Sequence, residues 1–216
     1  MPTSESQQSD QPTMLSFIRD LPNICSLAGL ICAVVGIFFA IRGNFPAAII
    51  GLIWATLFDW GDGMIARRIK ERSNASRAFG GQLDSLIDIV SFGILPAILL
   101  LSYGKFSPWF LPGALLVVAA CAIRLSYFNV FGLNDDKSYM GMAVDNNGII
   151  IAFVFLFDGI FSHTFFSVTV YIIVITIAAL NVAPIKTPKF TEMWVYVLTA
   201  YVLALTTFYV CKLWCT

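Results

Sequence analysis

Apolar runs separated by short polar connections recur along the whole chain. They predict membrane-spanning helices at residues 24–41, 45–58, 83–103, 109–130, 148–161, 165–182 and 193–213. A helix needs about 20 apolar residues to cross the hydrocarbon layer, and the second run falls short of that. Its helix is therefore expected to continue through the polar stretch after Phe58, past Asp62 and towards Lys70. Ahead of the first span, residues 13–19 form a brief amphipathic stretch ended by Asp20 and Pro22, which predicts a short interfacial helix. Residues 1–12 are polar and carry Glu5 and Asp10; they are expected to be disordered and do not read as a cleaved signal peptide.

Composition agrees with this pattern. Hydrophobic residues make up 58% of the 216, charged residues 12%, and the mean hydropathy is +0.82. An ordinary soluble domain and a disordered chain are both excluded. The fold class expected is an all-α integral membrane protein, with a membrane domain over 13–190 and an additional C-terminal transmembrane helix over 191–216. No internal repeat is visible, which weighs against a secondary transporter.

Thirteen basic and thirteen acidic residues cancel, so the chain offers no overall electrostatic reason to bind nucleic acid. The distribution of the basic residues is more informative. With the N-terminus in the cytoplasm, that side holds Arg19, Arg67, Arg68, Lys70, Arg72, Arg77, Arg124, Lys137, Lys186 and Lys189, against Arg42, Lys105 and Lys212 outside. This bias predicts a cytoplasmic location for the polar segment 59–88 and an external C-terminus, in the cell membrane if the source is prokaryotic. The five cysteines lie in or beside apolar segments without a C-x-x-C pair and read as small hydrophobic residues.

Four carboxylates, Asp59, Asp62, Asp84 and Asp88, flank one connection at the ends of two otherwise apolar helices. Acids at membrane depth are costly and mark a site by default. At about 100° per residue, Asp59, Asp62, Gly63, Ala66 and Arg67 share an arc of roughly 140°, and Gly80, Asp84 and Asp88 share roughly 80° of the next helix. Turned together, the two faces gather four like charges, which cations or protons must neutralise. An all-carboxylate set suits hard divalent cations such as Mg²⁺ or Mn²⁺, whereas Zn²⁺ usually brings His or Cys. The only histidine, His163, falls in a turn on the opposite side. Gly63 and Gly80 admit either a neighbouring helix or a ligand phosphate. Arg67 is placed to neutralise a phosphate, while Arg68, Lys70, Glu71, Arg72 and Arg77 read as solvated salt bridges.

The pattern Asp59-x-x-Asp62-Gly63-x-x-Ala66-Arg67, then Gly80-x-x-x-Asp84-x-x-x-Asp88, resembles the signature of the CDP-alcohol phosphotransferase family. The resemblance implies a bundle of six core transmembrane helices, usually dimeric, that moves a phospho-group from a CDP-linked donor to a hydroxyl and releases CMP. It implies Asp59, Asp62, Asp84 and Asp88 around two Mg²⁺ or Mn²⁺ ions, with Asp88 as the general base. Gly63, Ala66 and Arg67 would accommodate the CDP moiety, helped by Pro22 and Asn23.

Residues 89–97 and 124–129 further resemble stretches of the phosphatidylserine synthases within that family, which points to CDP-diacylglycerol as donor and L-serine as acceptor. Two departures stand against this. Residues 141–148 replace a Gly-Leu-Pro element, and Trp60-Gly61 is unusual within the signature. Asp145, Asn146 and Asn147 would either contact an acceptor's amine or form a turn or cap. Arg124 would pair with a serine carboxylate, a phosphate or Asp135. Other acceptors such as choline, ethanolamine or a polyol, CDP-choline or CDP-ethanolamine as donor to diacylglycerol, and a cation channel or carrier remain alternatives at this point.

Overall fold

The computed structural model describes residues 13–69, 72–132, 138–188 and 193–214. The expected disorder of residues 1–12, the Arg124–Asp135 pair, Lys70, Glu71, Lys137, Lys189 and Cys215 lie outside the described residues. A six-residue 3-10 helix, Met14–Arg19, stands where the interfacial helix is expected, with Met14 and Leu15 strongly exposed.

Helix α1 (Leu21–Ile41) opens with Pro22, whose missing N–H costs nothing in a first turn. Helix α2 (Phe45–Arg68) is capped by Asn44, whose side chain accepts from the Ala47 N–H at 3.2 Å. It runs past Asp62 as the short second run requires. Helix α3 (Asn74–Asp88), capped by Ser73, continues through a π-helical segment, Ile89–Ile94, into α4 (Leu95–Tyr103). Pro96 explains the irregularity, because it offers no N–H to the Phe92 carbonyl one turn back. The Asn147 side-chain amide donates to that carbonyl instead, at 3.1 Å.

A 3-10 turn, Pro108–Phe110, leads into α5 (Leu111–Phe131). Strands β1 (Ser138–Met140) and β2 (Lys186–Pro188) pair antiparallel and clasp the connection after α5 to the one after α7. Helix α6 (Asp145–Val154) ends in a 3-10 turn, Phe155–Phe157, and is followed by α7 (His163–Val182) and α8 (Met193–Trp214).

Six of these stretches are long and apolar enough to cross a membrane, with α3 to α4 counted as one. The run expected at 148–161 instead begins at Asp145 and leaves helical geometry after Phe157. It nevertheless joins the two ends of the bundle. The Tyr103 hydroxyl donates to Asp158 Oδ1 at 2.8 Å, and Lys212 Nζ pairs with Asp158 at 3.1 Å, which places this turn beside the ends of α4 and α8. The N-terminal residue of α6, Asp145, lies at the other end, bonded to Trp60 of α2 and lining a cavity with Asp84 of α3. The protein is thus an all-α multi-pass membrane bundle.

Exposed side chains such as Ile31, Phe38, Leu115, Ile123 and Ile172 cover its outside, while Asn23, Thr56, Ser91, Asn147 and Asn181 are buried. That distribution fits a lipid surround and places the polar chemistry inside. The α1–α2 contact depends on small residues: a Cβ on Gly51 would lie 2.6 Å from the Cys32 carbonyl oxygen and 2.8 Å from Gly36 Cα. Helix α8 is held to α2 and α6 by polar bonds from Trp54 Nε1 to Thr206 (3.1 Å), from Tyr201 to the Ile149 carbonyl (3.0 Å) and from Tyr209 to the Ala152 carbonyl (2.9 Å).

Candidate active site

Helix α2 presents Asp59, Asp62, Gly63 and Arg67 to a cavity of about 450 Å³, and α3 presents Asp84 and Asp88 to the same space. Helical spacing alone aligns each set on its own helix, and packing of the two helices brings the sets together. One carboxylate oxygen from each of Asp59, Asp84 and Asp88 lies within 4.8 Å of the others. Asp62 also faces the cavity but is engaged differently: it is buried and accepts a hydrogen bond from the Ser26 hydroxyl on α1.

Asn23 and Gly80 meet beside the cavity rather than on its wall. Asn23 donates to the Phe17 carbonyl at 2.9 Å, and a Cβ on Gly80 would come within 2.9 Å of Asn23 Oδ1. Pro22 and Ala66 are likewise absent from the lining. Around this contact, Phe17 stacks on Phe79 with centroids 4.6 Å apart, and Arg72 pairs with Asp20 at 2.6 Å. The N-terminal 3-10 helix is thereby fastened to the start of α3, and Arg72 sits in a mostly buried ion pair rather than in a solvated one.

Arg124, on α5, is 7% exposed and lines the cavity, with its guanidinium carbon 5.2 Å from the centre of the Phe128 ring. Residues from further along the chain complete the lining: Met142 to Asn146 around the start of α6, Thr187 and Pro188 of β2, and Val195 of α8. Trp60 Nε1 donates to Asp145 Oδ2 at 2.6 Å, so α2 and α6 are joined next to Asp59. Trp60 and Ser26 were not picked out from sequence as site residues, since an indole and a hydroxyl in apolar helices carry no spacing signal. Asp145 was visible as a possible amine contact or cap, and the structure places it in the cavity.

Below Asp145, Asn147 and Asn181 exchange amide hydrogen bonds at 3.0 and 3.1 Å, both fully buried, and Asn181 also donates to the Met142 carbonyl at 3.2 Å. Together with the Asn147 bond to Phe92, this network ties α6 and α7 to the turn that follows Asp88. Every polar group in it has a partner, which is what makes such a network rigid.

The donors converging at Asp59, Asp84 and Asp88 are all carboxylate oxygens. His163 lies at the other end of the bundle, stacked on Tyr103 at 4.8 Å. An oxygen-only set of this kind fits Mg²⁺ or Mn²⁺ and does not fit a softer metal.

Comparison with known proteins agrees with the geometry. The family model for CDP-alcohol phosphatidyltransferases matches residues 19–214. The chain is 31% identical to an archaetidylserine synthase of Methanothermobacter thermautotrophicus, over 82% of this chain and 73% of that protein. It is 28% identical to a CDP-diacylglycerol–serine O-phosphatidyltransferase of Bacillus subtilis, over 80% of this chain and 92% of that one. A phosphatidylcholine synthase of Rhizobium johnstonii is 29% identical, over 74% of this chain and 64% of that protein. The protein belongs to the CDP-alcohol phosphatidyltransferase family and is a membrane enzyme of phospholipid biosynthesis.

Proposed function

We propose that the protein transfers the phosphatidyl group of CDP-diacylglycerol to the hydroxyl of L-serine, giving phosphatidylserine and CMP. The observation that carries this reading is the convergence of Asp59, Asp84 and Asp88 beside a cavity that also holds Arg67 and Arg124. The names of the relatives support serine as acceptor.

Asp59, Asp84 and Asp88 would hold Mg²⁺ or Mn²⁺, with Asp62 next to them. Bound divalent cations would neutralise the diphosphate and the charge that builds on departing CMP. Arg67 would pair with a phosphate of the donor at the rim. Asp88 would accept the proton of the serine hydroxyl as its oxygen attacks the phosphorus bonded to the lipid alcohol. A P–O bond forms to serine, the P–O bond to CMP breaks, and no covalent enzyme intermediate is required. Ser26, through Asp62, and Asn147, through Phe92, would keep the two carboxylate faces in register.

The basic residues described at the site end, among them Arg67, Arg68, Arg72, Arg77 and Lys186, support a cytoplasmic orientation for the cavity. A homodimer is the expected assembly. A second reading, choline as acceptor, draws support from the phosphatidylcholine synthase relative and from the Asp145 carboxylate on the cavity wall.

The test is CMP release by the purified protein in detergent from CDP-diacylglycerol with Mn²⁺ or Mg²⁺, against serine, choline, ethanolamine, inositol and glycerol phosphate. Release with serine alone, abolished by EDTA, supports the reading. Release with another acceptor alone replaces serine and keeps the chemistry, and failure with every acceptor rejects phosphatidyl transfer.

A further inference from the structure

One anion in the cavity has no task in the reaction just described. Asp145 opens α6 on the cavity wall but stands outside the group formed by Asp59, Asp84 and Asp88. A donor diphosphate would be repelled by an extra carboxylate, so its presence needs another explanation.

Helix capping does not supply one. Val144 occupies the cap position of α6, and no side-chain cap bond is made there. The Asp145 carboxylate is instead held by the Trp60 indole at 2.6 Å and by backbone N–H groups of its own first turn, and it feels the charge of Arg124. Asp145 is thus a carboxylate fixed in position at a cavity that a substrate must enter. A fixed anion facing a substrate cavity is complementary to a cation.

Arg124 lines the same cavity from α5. A zwitterionic amino acid carries both charges on one carbon, and an Arg with an Asp on neighbouring walls is complementary to it. We propose that Asp145 is the counter-ion for the ammonium group of the acceptor, with Arg124 taking its carboxylate, so that the two residues select the acceptor. The proposal rests on the phosphatidyl-transfer reading and narrows its acceptor to small alcohols bearing a cationic nitrogen. Trp60 acts as a positioning residue for Asp145.

The test uses the full chain in detergent with CDP-diacylglycerol and Mn²⁺, comparing wild type with Asp145→Asn and Trp60→Phe. Asp145→Asn should raise the serine KM about tenfold or more, the usual effect of losing a hydrogen bond to a charged group, with kcat and the donor KM within about twofold. Trp60→Phe, which keeps a ring and loses the donor, should raise it less. Wild type should prefer serine to 3-hydroxypropanoate, which lacks only the ammonium, and Asp145→Asn should lose that preference. Mn²⁺ affinity, read by electron paramagnetic resonance, should be unchanged in both variants, which also reports that they fold.

An unchanged serine KM in Asp145→Asn overturns the assignment. So does a fall in Mn²⁺ affinity as large as that of Asp84→Asn, which would make Asp145 a metal ligand. If Asp145→Asn does not fold, the Trp60→Phe KM decides in the same way. If wild type uses choline or ethanolamine in place of serine, the serine reading fails, and the proposal is judged by the same KM ratio for that amine. Use of inositol or glycerol phosphate overturns both.

Discussion

At the scale of single residues, the roles are separable because neighbours with the same charge are held differently. Asp88 belongs to the converging group and is buried, whereas Asp62 is tied to Ser26. Asp88→Asn keeps the shape and removes both the carboxylate proposed to hold a metal and the proposed base. Transfer should fall by roughly a hundredfold or more in a CMP-release assay, with little change in thermal stability. Ser26→Ala should act more mildly, raising the metal concentration for half-maximal transfer without removing turnover, since Asp62 keeps its place on the cavity wall.

The four aspartates were legible in the sequence because a 3.6-residue period converts spacing into a shared face. The Trp60–Asp145 bond was not, because it joins residues 85 positions apart and only the packed bundle brings them together. The expected roles of Pro22, Asn23 and Gly80 had a clear sequence signal. In the structure Asn23 and Gly80 meet at a contact between α1 and α3 beside the cavity.

At the scale of elements, hydropathy located the helices and missed their polar ends. The span expected at 83–103 belongs to a helix that starts at Asn74, because the turns ahead of Leu83, which carry Gly80, are too polar for an apolar criterion. The span expected at 148–161 is shifted towards Asp145 for a related reason: its polar first turn faces the cavity and was left out by an apolar criterion. The π segment was invisible as such, although Pro96 eight residues after Asp88 was its cause in plain view. Asn147 compensates for Pro96 by bonding Phe92, and with Asn181 it closes the network behind the site. Asn147→Leu should therefore leave the Phe92 carbonyl and the Asn181 side-chain oxygen without their donor in the interior. Each such loss costs about 1–3 kcal/mol. The melting temperature in detergent should drop by several degrees, and transfer should fall with it as the turn after Asp88 loosens.

At the scale of the whole molecule, the paired interior and the charged ends make one testable statement about orientation. The start of α1 and the end of α8 lie at opposite ends of the bundle, as contacts at each end show. Asp20 pairs with Arg72 at the site end, and Lys212 pairs with Asp158 at the other. Basic side chains crowd the first face, so it should be the cytoplasmic one. In a variant lacking the native cysteines, a cysteine at exposed Ser73 should react with a membrane-impermeant maleimide only in inside-out vesicles. One at exposed Trp109, on the connection between α4 and α5, should react only in right-side-out vesicles. The opposite pattern would turn the cavity outward, away from any cytoplasmic pool of nucleotide-activated lipid precursor. The same side for both would remove a crossing between Ser73 and Trp109, which the continuous 30-residue helix Asn74–Tyr103 does not permit.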